Sequence, residues 1–151
     1  MAVVTAAAAV VLGTVGVYAM AQDAPNDQQP SLVEDFAYPG ADKILAEKGI
    51  TLLKGDGHIL LENCVTNATG QIALRSSQHA EPICFKVTGA TGWLSLSIPE
   101  VYSIKGDGHK GEAKITTDEG ATTRTEPIKV NNWTPINSGD GGTLLELKAW
   151  S

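Results

Sequence analysis

Basic residues are missing from the opening of this chain: the first is Lys43. Over all 151 residues there are 11 Lys and Arg against 17 Asp and Glu, a formal charge of −6. An acidic chain without a basic stripe is poorly suited to nucleic acid or anionic lipid, so neither is expected as a partner. Cysteine is scarce too. Cys64 and Cys84 are the only two, and their spacing supports neither a C-x-x-C redox pair nor a zinc site. After residue 21 no apolar run reaches membrane-spanning length. There is no G-x-S-x-G, no H-E-x-x-H and no phosphate-binding loop. No catalytic residue, metal or cofactor is therefore expected.

What the chain does have is an apolar beginning. Ala2 to Val17 (AVVTAAAAVVLGTVGV) carries no charge, and Ala19-Met20-Ala21 follows as a small-x-small triplet before the polar stretch from Gln22. That order predicts a signal peptide over residues 1–21 and a mature protein starting near Gln22. The competing reading is a membrane anchor, for which the run is about the minimum length and only weakly apolar. A signal peptide also has a positive first segment, which is missing here. The hypothesis that follows is that Met1 is an internal methionine; a stop codon just upstream, with no basic codons between, would overturn it. No cysteine sits at the cleavage position, and Lys148-Ala149-Trp150-Ser151 carries no sorting motif. The expected localisation is secreted and extracellular, with no membrane attachment after cleavage.

Residues 22–35 (QDAPNDQQPSLVED) hold two prolines and four acids with no base, and read as a flexible acidic leader. Residues 36–151 read as a single domain. Ala41 to Lys48, with Ile44 and Leu45 on one side and Gly49 at the C-cap position, predicts one short helix. Beyond Ile50 the apolar period becomes two. Ile59, Leu61 and Val65 alternate with polar or exposed positions, as do Ile72 and Leu74, then Ile83, Phe85 and Val87. Leu94, Leu96 and Ile98, then Ala113 and Ile115, then Leu145, Leu147 and Ala149 continue the pattern. Gly, Asn and Asp clusters separate these runs. The fold class expected is all-β, an antiparallel β-sandwich of jelly-roll or Greek-key type, with one short N-terminal helix.

Two cysteines in an exported chain should be joined, so a Cys64–Cys84 disulfide is expected. It constrains topology. A plain meander of 58–65, 71–75 and 82–88 would place the two cysteines two strand spacings apart, roughly 9–10 Å. A bridge needs its Cα atoms within about 7 Å. Either the first and third segments are neighbours or the bridge crosses between sheets.

Lys54-Gly55-Asp56-Gly57-His58 recurs letter for letter as Lys105-Gly106-Asp107-Gly108-His109, with a partial copy at Gly139-Asp140-Gly141. Asp-Gly between apolar runs is a strong signal for a type I′ hairpin, which predicts Leu53 opposite Leu60 and Leu52 opposite Leu61. Three functional readings compete with a plain turn. Calcium is one, through Asp56 or Asp107, but the chain turns apolar at Ile59 where further oxygen ligands are needed. A transition-metal set of His58, His79 and His109 is another, without supporting spacing. The third is Lys-Gly-Asp as an adhesion tripeptide, a combination that arises by chance. Asp56, His58, Asp107 and His109 stay as candidate binding residues.

Trp93 and Trp150 fall on expected strands and are read as core or core-edge residues. Trp133, within Asn131-Asn132-Trp133-Thr134-Pro135, sits among loop formers, where an indole can stack on a sugar or cap the end of the sandwich. Ser76 and Ser77 near His79 resemble a fragment of a triad, although triads do not assemble by adjacency in sequence. The sequons Asn67-Ala68-Thr69 and Asn132-Trp133-Thr134 matter only in a glycosylating host.

The stretch from Val33 through Tyr38-Pro39-Gly40-Ala41, Lys43-Ile44-Leu45 and Gly49-Ile50 to Gly55-Asp56-Gly57-His58-Ile59-Leu60 resembles the opening of small secreted proteins of actinomycete bacteria. Cys64, Cys84-Phe85-Lys86-Val87-Thr88, the Leu94–Pro99 strand and the Leu144–Leu147 ending resemble them as well. The resemblance implies a bacterial, extracellular β-sandwich protein and carries no activity. The expected function is binding or structural, with an unidentified extracellular ligand or protein as partner. The alternatives are an extracellular hydrolase, or a carbohydrate-binding module using Trp133.

Overall fold

A computed structural model describes residues 36–117, 120–136 and 142–151. The expected signal peptide (1–21), the acidic leader (22–35) and the Gly139-Asp140-Gly141 copy lie outside the described residues. In chain order the elements are α1 (Ala41–Lys48), β1 (Thr51–Gly55), β2 (Ile59–Glu62), β3 (Gln71–Ser76), β4 (Ile83–Val87) and β5 (Thr91–Lys105). They continue with β6 (Lys110–Thr117), β7 (Thr122–Ile128), β8 (Trp133–Pro135) and β9 (Gly142–Trp150). Every strand pairing is antiparallel. The fold is an antiparallel β-sandwich with one short helix among the described residues, as the period-two patterning predicts.

The helix ends where its sequence says it should. Gly49 takes the left-handed conformation (φ 67°) and its N–H closes on the Leu45 carbonyl at 2.9 Å. Of the two expected apolar residues only Ile44 packs on the core, while Leu45 stands exposed. The Tyr38 hydroxyl accepts a 2.7 Å hydrogen bond from the Leu61 N–H, tying the approach to α1 onto β2.

β5 organises everything else. Its first half lies between β1 and β9, its second half between β3 and β8. The path runs β2-β4-β3-β5-β9-β6-β7, with β1 and β8 also on β5. One half of the sandwich is thus β1, β5, β9, β6 and β7; the other is β2, β4, β3, β5 and β8. Register irregularities at Ser95/Ile98 and Ile98/Val101 let the strand pass from one half to the other. There Glu100 adopts φ 52°, a left-handed conformation that costs a non-glycine residue about 1–2 kcal/mol. The hydroxyl of Ser77 and the amide of Gln78 both donate to its carboxylate, and the Ser77 N–H donates to its carbonyl at 3.1 Å. From β5, Leu94, Leu96, Ile98, Val101 and Ile104 join Leu74, Phe85, Ile115 and Leu147 in one core cluster, each 1% exposed or less.

The disulfide forms between Cys64 and Cys84, with Cα atoms 5.2 Å apart. Cys84 stands opposite Glu62, so the bridge staples the end of β2 to β4. The first and third segments are therefore neighbours, the first of the two arrangements the sequence allowed.

Other expectations fail for definite reasons. β1 and β2 do not form a hairpin: Leu52 pairs with Leu96 of β5, and Leu61 with Phe85 of β4. A type I′ turn needs positive φ at both central residues, and here only Gly57 has it (φ 81°). Neither Asp107 nor Gly108 does, and β6 pairs with β7 and β9, not β5. Each repeat is an arch that carries the chain across the sandwich. Val65 lies past the end of β2 and is 62% exposed. In β9 an irregularity sets Leu145 out of step, so Leu144 takes the buried place instead. At the edge, Arg124 and Glu126 of β7 share the face of Ile115 and Ala113 and pair at 2.8 Å. Inward charges of this kind discourage a second sheet from adding to that edge.

Candidate functional site

The two arches build the same small device. In each, the Asp Oδ1 accepts the N–H of the His two residues on, at 3.0 Å in both copies. This is an Asx-type turn, in which the carboxylate substitutes for a backbone acceptor. The first glycine of each copy lies against a neighbouring backbone. A Cβ on Gly55 would stand 3.0 Å from the Trp93 carbonyl oxygen, and one on Gly106 only 2.3 Å from that of Lys129. The recurrence thus has a structural cause: close backbone contact, then a carboxylate-closed turn.

The copies differ in burial. Asp107 is 3% exposed and its Oδ2 also meets the His109 Nδ1 at 2.7 Å. Asp56 and His58 are exposed, and their Oδ2 and Nδ1 are 3.7 Å apart. The first arch touches β5 at Trp93 and the second leaves β5 at Lys105, so they sit near opposite ends of that strand. They do not converge on one site. Among the described residues no three His, Cys, Asp or Glu side chains gather as a metal set. Calcium or zinc is therefore expected to leave the melting temperature unchanged. A metal held at a hundred times its dissociation constant would instead add about 2.7 kcal/mol. Such a shift, abolished by Asp56→Asn or Asp107→Asn, would refute the reading of the arches as turns.

All three tryptophans face outward. On β5, Trp93 has the parity of Ser95 and Ser97, opposite to buried Leu94 and Leu96. It pairs with Lys148 of β9, while Trp150 pairs with Thr91 and Lys110. Trp93 and Trp150 are thus diagonal neighbours on the outer face of one half, roughly 7–8 Å apart. The Trp93 indole N–H donates to the Glu146 Oε2 at 2.8 Å, and Lys148 approaches Glu146 at 3.2 Å and Glu112 at 3.8 Å. Trp133, expected in a loop, lies on β8 opposite Lys105. The Arg75 guanidinium of β3 lies 4.3 Å above its ring centroid.

Partial burial works against the charge of Glu146, but the Trp93 N–H and the Lys148 and Lys114 ammonium groups outweigh it and hold its carboxyl below the ordinary value. Glu100 is also lowered, by its bonds from Ser77 and Gln78. A depressed carboxyl contributes stability that is complete above its unfolded value and is lost as pH falls through the folded one. Stability is thus expected to fall as pH drops below about 4, the ordinary glutamate range. Glu146→Gln should flatten that slope in pH-dependent urea denaturation; an unchanged slope would count against the Trp93–Glu146 pairing.

A third feature was not foreseen from sequence. An open cleft of ≈ 990 Å³ lies beside the disulfide, between α1 and the β2–β4 edge, and its lining includes Lys48, Glu62, His79 and Glu81. Among the described residues the His79 ring hydrogen-bonds to neither carboxylate. The neighbouring serines are engaged elsewhere: Ser76 donates to the Pro99 carbonyl at 2.7 Å and Ser77 to Glu100. No serine hydroxyl is hydrogen-bonded to His79 in the cleft among the described residues.

The outward tryptophans were legible in the sequence. Trp93 shares its parity with two serines, and Trp150 with Lys148 and Glu146, so period two already assigned them to the polar face. Arg75 gave no such signal, since its meeting with Trp133 spans two strand pairings. No protein-family model matches the chain, and no curated protein matches it significantly.

Proposed function

We propose that this chain is a secreted, extracellular β-sandwich of binding type, akin to the small actinomycete secreted proteins its sequence resembles. Its ligand is a polysaccharide met by the tryptophan-bearing outer faces. The observation that carries this reading is the placement of all three tryptophans outside the core. A fully buried large apolar side chain contributes about 1.5–3 kcal/mol. A chain that leaves its three largest rings partly exposed forgoes part of that, and a ligand covering the rings would recover it. Flat outer faces of sandwich sheets suit stacking against sugar rings, while the indole N–H supplies the polar handle. The signal-like opening and the disulfide support export. A hydrolase in the cleft has weaker support, because its His and carboxylates are not hydrogen-bonded to one another.

The test is retention on insoluble glycans. Wild type should be pulled down, and the Trp93→Ala/Trp150→Ala double variant should lose most of that retention. Each substitution should cost only about 1–2 kcal/mol, short of the 3–5 kcal/mol typical of a core aromatic. Trp133→Ala, run in parallel, measures the other face. A wild type that no glycan retains, or a double variant that binds unchanged and yet unfolds easily, would end the proposal.

A further inference from the structure

The second outer face differs from the first in charge. Across β3, β5 and β8 the register sets Ala73, Lys105 and Trp133 in one row and Arg75, Ser103 and Pro135 in the next. Arg75 and Lys105 therefore share one face with Trp133, Lys105 directly opposite it on the neighbouring strand and Arg75 over its ring. Among the described residues neither lies within ion-pair distance of a carboxylate. The nearest acid in the Lys105 row is Glu62 on β2, three strand spacings or roughly 14 Å away. Glu62 is itself engaged by the Gln71 amide. In a chain of net charge −6, two unneutralised cations beside a half-buried tryptophan are a local reversal of sign.

The stacking explains how the reversal can be used. A guanidinium 4.3 Å from the indole centroid is held by cation–π attraction and keeps its planar fork of N–H donors. The stack also holds the long Arg75 side chain, so less rotamer entropy is lost when an anion arrives. That fork matches a planar carboxylate through two parallel hydrogen bonds. The Lys105 ammonium donates to the Ala68 carbonyl at 3.0 Å and retains two further donors. Ser103 stands opposite Arg75 on that face, and exposed Asn131 and Asn132 immediately precede Trp133, hydroxyl and amide groups suited to sugar hydroxyls more than to the aliphatic anchors of a peptide.

We infer that the Arg75–Trp133–Lys105 face is a separate binding site for carboxylate-bearing polysaccharide, with Arg75 as the carboxylate fork and Trp133 as its support. The inference rests on the preceding proposal only in taking the ligand to be a glycan. It assigns a different face and a different ligand class. A hexuronate unit suits it because the carboxyl is bonded directly to the sugar ring, which places charge and hydroxyls within one short span.

The experiment is affinity electrophoresis of the full secreted chain in gels containing polygalacturonate, a neutral β-glucan, poly-glutamate or polyphosphate. Polygalacturonate should retard wild type at low salt and release it at high salt, since the contact is ionic. Arg75→Gln should weaken retention by roughly tenfold or more. Arg75→Lys should weaken it substantially too, because the charge remains but the fork is lost. Both variants change an exposed side chain, and an unaltered near-ultraviolet circular dichroism spectrum verifies the fold. Equal retardation of Arg75→Gln and wild type overturns the inference, as does equal or stronger retardation by poly-glutamate or polyphosphate. Retention by neutral glucan alone, lost with Trp93 and Trp150 and indifferent to Arg75, overturns this inference and leaves the preceding proposal standing. Retention by no glycan overturns both.

Discussion

Opening the Cys64–Cys84 bridge is expected to destabilise the protein by about 3 kcal/mol, the chain-entropy value for a closed loop of this size. For a domain of this length that corresponds to a fall in melting temperature of roughly 10 °C. The site of the bridge makes the effect local as well as global. β2 has four residues and ladder contacts to β4 alone. Its neighbour in sequence, β1, belongs to the other half of the sandwich. Without the bridge, β2 is held by that short ladder, by core packing of Ile59, by the Tyr38 hydroxyl on Leu61 and by the Gln71 amide on Glu62. Hydrogen exchange in the reduced protein should therefore rise first at Leu60 to Glu62 and in the adjoining segment up to Gln71, ahead of the β5–β9–β6 centre. The intact mass of the native protein should be two hydrogens below the reduced value. Two freely alkylatable thiols in native protein would refute both the bridge and the neighbour relation of β2 and β4.

Gly106→Ala is expected to cost about 3 kcal/mol, at the upper end for overpacking. The added Cβ would lie 2.3 Å from the Lys129 carbonyl oxygen and 3.0 Å from the Ile128 Cγ2. The first is a backbone atom, so relief requires the chain itself to move. The same contact region holds the second arch together, through Gly106 N–H to the Asn132 carbonyl and Asn131 N–H to the Asp107 carbonyl. A shift there would also disturb β8 and with it the Arg75–Trp133 stack. The repeat supplies its own controls. A Cβ on Gly108 meets nothing within 4 Å and the residue has no positive φ, so Gly108→Ala should stay within about 0.5 kcal/mol. Gly57→Ala has the same open space but φ +81°, and should cost about 1–2 kcal/mol from backbone conformation alone. Urea midpoints that fail to separate Gly106→Ala from Gly108→Ala would remove the close-contact explanation of the repeat.

The sequence by itself determined the local features. Period-two alternation set which residues of β6 and of the first half of β5 are buried, because a strand's side chains point alternately to its two faces wherever it pairs. The helix and its Gly49 terminus followed from contacts within a few residues. The two cysteines, through the reach of a disulfide, excluded a meander before any partner was known. The same parity is compatible with the outward Trp93 and Trp150, although their apolar character reads as core or core-edge.

Partner choice was settled only by the tertiary structure. Asp-Gly between apolar runs is compatible both with a reversal and with an arch, and the difference lies in where the next strand finds its ladder. β1 found β5 and β2 found β4, so Asp56 closes an arch, and Asp107 closes another. The bend of β5 at Glu100, the cleft beside the disulfide, and the meeting of Arg75 with Trp133 depend on pairings among residues far apart in sequence. Such pairings reflect a competition among many strands for the same edges, and no short window of sequence contains all the competitors.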